Sequence, residues 1–128
     1  MKKLLLLIIT LLISPNIYAQ DFNTQLKLAE QGDAKAQFNV GVCYDTGNGV
    51  AKNDKKAYQW YLKSAEQRYA DAQCLIGICY VVGIGVDTNL DTAYEWFEKS
   101  AEQGCEPAID VINDYDAITA EMQNKFTR

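Results

Sequence analysis

The sequence has 128 residues, with 17 acidic and 12 basic side chains for a net charge of −5, four cysteines and no histidine. An acidic chain repels nucleic acid and anionic lipid, and the missing imidazole removes the commonest general base and metal ligand in one step. The length allows one domain with a modest core.

At the N-terminus, Lys2 and Lys3 precede an apolar run from Leu4 to Ile13 that is broken only by Thr10 and ended by Ser14-Pro15. That order is the pattern of an export signal, with cleavage expected after Ala19 although Ile17 is bulky for the residue two before a cut. The run is too short to span a membrane, which takes about 20 apolar residues. No Cys stands at the cut to take a lipid anchor. Removing residues 1–19 takes away two lysines and leaves a net charge of −7. The expectation is an exported protein, periplasmic or secreted, with no stable membrane insertion once the signal is gone.

Residues 20–32 follow, with Phe22, Leu26 and Ala29 in helical register, and are expected to form an N-terminal capping helix. Ala29-Glu30-Gln31-Gly32 matches the last four positions of a unit that then occurs twice. Laid against each other, residues 33–68 and 69–104 are identical at 18 of 36 positions, where chance gives roughly two at ordinary residue frequencies. Periodic self-similarity of this kind signals a repeat architecture.

Each unit reads as two helices. In the first, Ala36, Val40 and Tyr44, or Ala72, Ile76 and Tyr80, fall at steps of four on one helical stripe, and Asp33 suits the N-cap. Gly47 and Gly83 stand where a helix ends in positive φ, and Val50 or Val86 then folds back onto the core. Asn53 or Asn89 caps the second helix. That helix carries Ala57, Trp60, Tyr61 and Ser64, repeated as Ala93, Trp96, Phe97 and Ser100, at steps of three and four. Gly41 and Gly77 lie inside the first helices, where Gly costs about 1 kcal/mol against Ala; close approach of the second helix is the expected compensation. After residue 104 the pattern changes. Pro107 suits a first helical turn, Asn113 and Asp116 take the places of Gly41 and Tyr44, and Ala108, Val111, Ile112, Tyr115, Ile118, Met122 and Phe126 continue one stripe. Residues 105–128 are therefore expected to cap the last unit.

The pattern Ala-x-Ala-Gln-x-x-Val/Ile-Gly-x-Cys-Tyr-x-x-Gly-x-Gly-Val-x-x-Asn-x-x-x-Ala-Tyr-x-Trp-x-x-Lys-Ser-Ala-Glu-Gln resembles the Sel-1-like repeat, a longer relative of the tetratricopeptide repeat, over about residues 29–108. The resemblance implies an all-α solenoid of helix pairs. Arg68 departs from it by replacing the Gly that closes the unit, as does Asn by taking the N-cap place of Asp.

No catalytic, cofactor-binding or metal-ligating set emerges: there is no Gly-x-Ser-x-Gly, no Ser-x-x-Lys, no phosphate-cradling loop and no metal-spaced carboxylate group. The Gly-x-Gly pairs follow helices and recur with the unit, so they read as turns. Some secreted relatives of this kind are linked to β-lactam binding or hydrolysis, but no nucleophile carries over, and the chain is read as non-enzymatic. An exported chain would ordinarily pair its cysteines. Cys43 and Cys79 share one repeat position on helices whose axes should lie 8–10 Å apart, too far for a bridge, and read as small buried apolar residues. Cys74 and Cys105 could approach across the entrances of adjacent helices, but they are five positions out of register in the repeat, which argues against pairing them. The one-bridge-per-repeat framework of cysteine-rich secreted relatives is not reproduced.

The first helices also carry residues on the face turned away from their own second helices. In tetratricopeptide-like stacks that face is the concave one, and here it holds Phe38, Val42, Cys74, Ile78, Val81 and Val82. Apolar residues in a patch usually mark a contact site. Three readings of it compete: the last helix curls back and covers it with Met122 and Phe126; a partner protein's helix or extended segment docks there; or, more narrowly, the protein is an immunity or inhibitor protein that neutralises a toxin or effector. The leading expectation is a monomeric module whose partner is another protein.

Overall fold

The computed structural model describes residues 15–127, so the run from Leu4 to Ile13 lies outside the described residues. Among the described residues six helices follow one another: α1 (Pro15–Glu30), α2 (Ala34–Thr46), α3 (Asp54–Glu66), α4 (Ala70–Val82), α5 (Leu90–Ala101) and α6 (Glu106–Phe126). Each packs against the next along the chain, and no strand occurs among the described residues. The helix expected from residue 20 begins earlier, at Pro15.

Local chemistry sets the helix ends. The Asp33 side chain accepts the Ala36 N–H, and Asn53 and Asn89 accept those of Lys56 and Thr92. Gly47 and Gly83 end α2 and α4 in the left-handed region, with φ of 70° and 83°. Inside α2, a Cβ on Gly41 would meet Cδ1 of Tyr61 at 2.5 Å; on Gly77 in α4 it would meet Cε1 of Phe97 at 2.8 Å. The glycines let each second helix lie directly against its first, as the mid-helix positions implied.

The repeat is carried by hydrogen bonds as much as by apolar contact. Gln37 and Gln73, both buried, donate to the carbonyls of Ala29 and Ala65 at 3.1 and 3.2 Å. Ser64 and Ser100 donate to the carbonyls of Ala34 and Ala70, and Gln67 and Gln103 donate to Gln37 and Gln73. Buried polar groups are tolerated only when satisfied in this way, and no buried side-chain N or O among the described residues lacks a partner. The Gln and Ser-Ala-Glu-Gln identities thus lock α3 to the first helices on both sides of it and α5 to α4 before it, the Gln place in α6 being held by Ile109.

An aromatic ladder keeps the same period. The Phe22 and Tyr44 rings meet edge-on at 5.5 Å, and 36 residues later Tyr58 and Tyr80 do so at 5.9 Å. One step further Tyr94 donates instead to the Asp116 carboxylate at 3.0 Å. Helix α1 therefore occupies the place of a second helix, and α6 that of a first.

Helix α6 only begins as the expected cap. Ala108 is buried and Ile112 packs with it against Phe97. Beyond them Met122 and Phe126 are 54 % and 87 % exposed. The reason is length: at 1.5 Å per residue, the 21 residues of α6 outrun the 12 of α5 by roughly 14 Å, and the last turns find nothing to lie on.

Candidate functional site

The six residues of the first-helix face do not share one environment. Phe38 and Val42 are partly buried against the cluster of Ala57, Tyr61 and Ile76, the Phe38 ring lying 5.3 Å from that of Tyr69 and 6.0 Å from that of Tyr61. Cys74 is buried, at 7 % exposure, in a cluster with Ala93, Phe97 and Ala108. Ile78, Val81 and Val82 remain in solvent at 38, 44 and 63 %. The open apolar surface is thus concentrated at the C-terminal half of α4, and neither Met122 nor Phe126 covers it.

Sequence reasoning missed how this surface continues. A groove of about 140 Å³ runs between the end of α4, the start of α5 and the middle of α6, lined by Val81, Leu90, Phe97, Val111 and Tyr115, with Ala93 and Tyr94. Leu90 is 63 % exposed, and Val111 and Tyr115 are exposed too. The signal for it lay in the repeat comparison: Leu90 stands where the first unit has Asp54, Val81 where it has Asp45, and Val82 where it has Thr46.

Those replacements are coordinated. In the first unit Asp45 accepts a hydrogen bond from the Tyr61 hydroxyl at 3.3 Å, and Asp54 pairs with Lys52 at 3.5 Å. Burial and the neighbouring Asp45 carboxylate push the Tyr61 phenol upward from its ordinary range. In the second unit Tyr61 becomes Phe97, Asp45 becomes Val81, Lys52 becomes Thr88 and Asp54 becomes Leu90. Both members of each polar pair are lost together, so no orphaned charge or hydroxyl remains and the end of the unit is apolar.

Two wider hollows open elsewhere, one beside Trp60, Lys63 and Glu66 and one beside Trp96, Lys99 and Glu102. In both, the lysine ammonium lies over the indole, at 4.4 and 4.3 Å from the ring centre; they repeat with the framework. Among the described residues no group of three His, Cys, Asp or Glu is placed to hold a metal ion, and no helix is long and apolar enough to cross a membrane. No two cysteines are joined by a disulfide in this structure. Cys79 is buried and its thiol is pushed up to about 12 by desolvation and then by Asp45 and Asp54.

A family model described as Sel1 repeat matches residues 34–69 and 70–105. Among solved structures, a Sel1 repeat protein from Oxalobacter formigenes is 42 % identical with a TM-score of 0.71, over 73 % of this chain and 38 % of that one. A protective antigen present in uropathogenic Escherichia coli strains, displaying an SLR fold, is 39 % identical with a TM-score of 0.67, over 68 % of this chain and 19 % of its own. Helicobacter pylori cysteine rich protein B is 29 % identical with a TM-score of 0.67, over 70 % of this chain and 68 % of that one. The chain therefore spans well under two thirds of the first two. No curated protein matches it. With two copies of the unit matched across more than half of the sequence and the helical stack shared with these structures, the chain belongs to the Sel1 repeat family.

Proposed function

We propose that this protein is an exported, non-enzymatic interaction module that binds one partner protein through the first-helix face of its second repeat, with an amphipathic helix of the partner as the docked element. Sel1 repeats are in general protein–protein interaction modules. The observation that carries the reading is the exposure of Ile78, Val81 and Val82 beside the groove lined by Leu90, Val111 and Tyr115. An amphipathic helix laid in such a groove removes apolar surface on both sides from water. Phe38, Val42 and Cys74 support this face from beneath: their side chains fill the core under it and hold α2 and α4 in place. Export rests on Lys2, Lys3 and the apolar run to Ile13, and cleavage after Ala19 would leave the α1 residues from Phe22 onward, which fill the core beside Tyr44.

The test is Val82→Asp. Val82 is already mostly in solvent, so the melting curve should move by no more than about 0.5 kcal/mol equivalent. The affinity for the partner captured by wild-type protein, then purified and titrated, should fall at least tenfold. Unchanged affinity, or a variant that unfolds, would overturn the assignment of this face. A captured partner that is a toxin encoded beside this gene would narrow the role to immunity; turnover of a hydrolase substrate panel by the purified protein would replace it with an enzyme.

A further inference from the structure

We propose that Cys74 and Cys105 are a redox pair that closes into a disulfide and so fastens the start of α6 to the first turns of α4. The period of the repeat brings them together. Cys74 and Cys105 stand 36 residues after Phe38 and Tyr69, whose rings pack at 5.3 Å. One period on, both partners of that side-chain contact are thiols. Cys74 is buried with Ala93, Phe97 and Ala108, and Cys105 is partly buried against the same cluster. On the α4 side, the Cys105 thiol lies 3.9 Å from the carboxylate of Asp71, three residues before Cys74.

The backbone around the pair is held. Ser100 donates to the Ala70 carbonyl at 2.8 Å and Gln103 to Gln73 at 2.6 Å, so the turn that leads into Cys105 is tied to the first turn of α4, just ahead of both thiols. Cys43 and Cys79 belong to two other clusters and have no such partner geometry.

A disulfide such as oxidised glutathione supplies the oxidant. The half-exposed Cys105, as thiolate, attacks one glutathione sulfur, breaking its S–S bond and releasing one glutathione thiolate. The Cys74 thiolate then attacks the Cys105 sulfur of the mixed disulfide and releases the second. The protein loses two electrons and two protons, the oxidant is reduced to two thiols, and one S–S bond replaces another. Burial, then Cys105 and Asp71, holds the Cys74 thiol protonated, up to about 11, so the second step should quicken as pH rises and in Asp71→Asn.

The experiment uses the purified full chain with oxidised and reduced glutathione, alkylation after unfolding, and peptide mapping by mass spectrometry; it does not depend on the compartment in which the protein works. The expected product is a Cys74–Cys105 linked peptide that is absent from Cys105→Ser and present in Cys43→Ser, with a melting temperature roughly 10 °C above that of the reduced protein. Recovery of Cys74 and Cys105 as alkylated thiols, as glutathione adducts alone, or joined to Cys43 or Cys79 would overturn the proposal.

Discussion

Residues 33–68 and 69–104 are built on the same skeleton, yet they end differently. One set of positions that ties or ends the helices is kept: the glycine under Tyr61 or Phe97, the buried Gln and Ser, the Asn cap. The side-chain pairs that are exchanged together lie at the far end of the unit and at its seam with the next helix. There the first repeat is closed by the Asp45–Tyr61 hydrogen bond, the Asp54–Lys52 ion pair and the Phe38–Tyr69 stack. One period on, Val81, Phe97, Leu90, Thr88, Cys74 and Cys105 stand in their stead. Duplicated units thus separate what a single domain confounds: the buried identities maintain the stack, and what is exchanged in pairs marks where the surface changes from polar to apolar.

The comparison can be broken most forcefully at the glycines. Gly41→Ala should destabilise by about 2–3 kcal/mol through overpacking against Tyr61, and Gly77→Ala by about 1 kcal/mol less because its contact to Phe97 is looser; urea midpoints at constant m-value report both. Next come the serines. Ser64→Ala and Ser100→Ala each leave a carbonyl without its bond to a buried hydroxyl and should cost about 1–2 kcal/mol in the same assay, equally if the two repeats are equivalent in their framework.

Arg68 sharpens the contrast in the opposite direction. It sits at φ 66°, where Gly32 and Gly104 close the other units at 99° and 83°. Arg68→Gly should stabilise by about 1 kcal/mol, seen as a rise in melting temperature, whereas Gly104→Arg should lose a similar amount. The smallest effect is the most diagnostic. Restoring the first repeat's pair in the second, with Val81→Asp and Phe97→Tyr together, should show a coupling energy of about 0.5–1 kcal/mol in a double-mutant cycle, confirming that the polar-to-apolar exchange acted on a linked pair.

Much of this architecture was readable in advance. The caps at Asp33, Asn53 and Asn89, the left-handed Gly47 and Gly83, and the approach behind Gly41 and Gly77 all follow from local rules that depend on a residue and its near neighbours. The candidate surface was only half legible. Ile78, Val81 and Val82 are open, but Phe38, Val42 and Cys74 occupy the same helical stripe and are partly or wholly withdrawn. A helical stripe states which residues share a side, whereas burial depends on what the neighbouring helix brings to that side: Tyr61 and Tyr69 against Phe38, Phe97 and Ala108 against Cys74.

By itself the sequence determined the repeat, its helix pairs and their ends, because identity at a fixed period and capping chemistry are local and additive. Only the tertiary structure decided that α6 leaves its last turns uncovered, that the polar pairs of the first repeat become an apolar groove in the second, and that Cys74 and Cys105 pack in one cluster. Each of these sets side chains from separate helices against one another, and their separation is fixed by where the helices cross, a distance that no spacing along the chain contains.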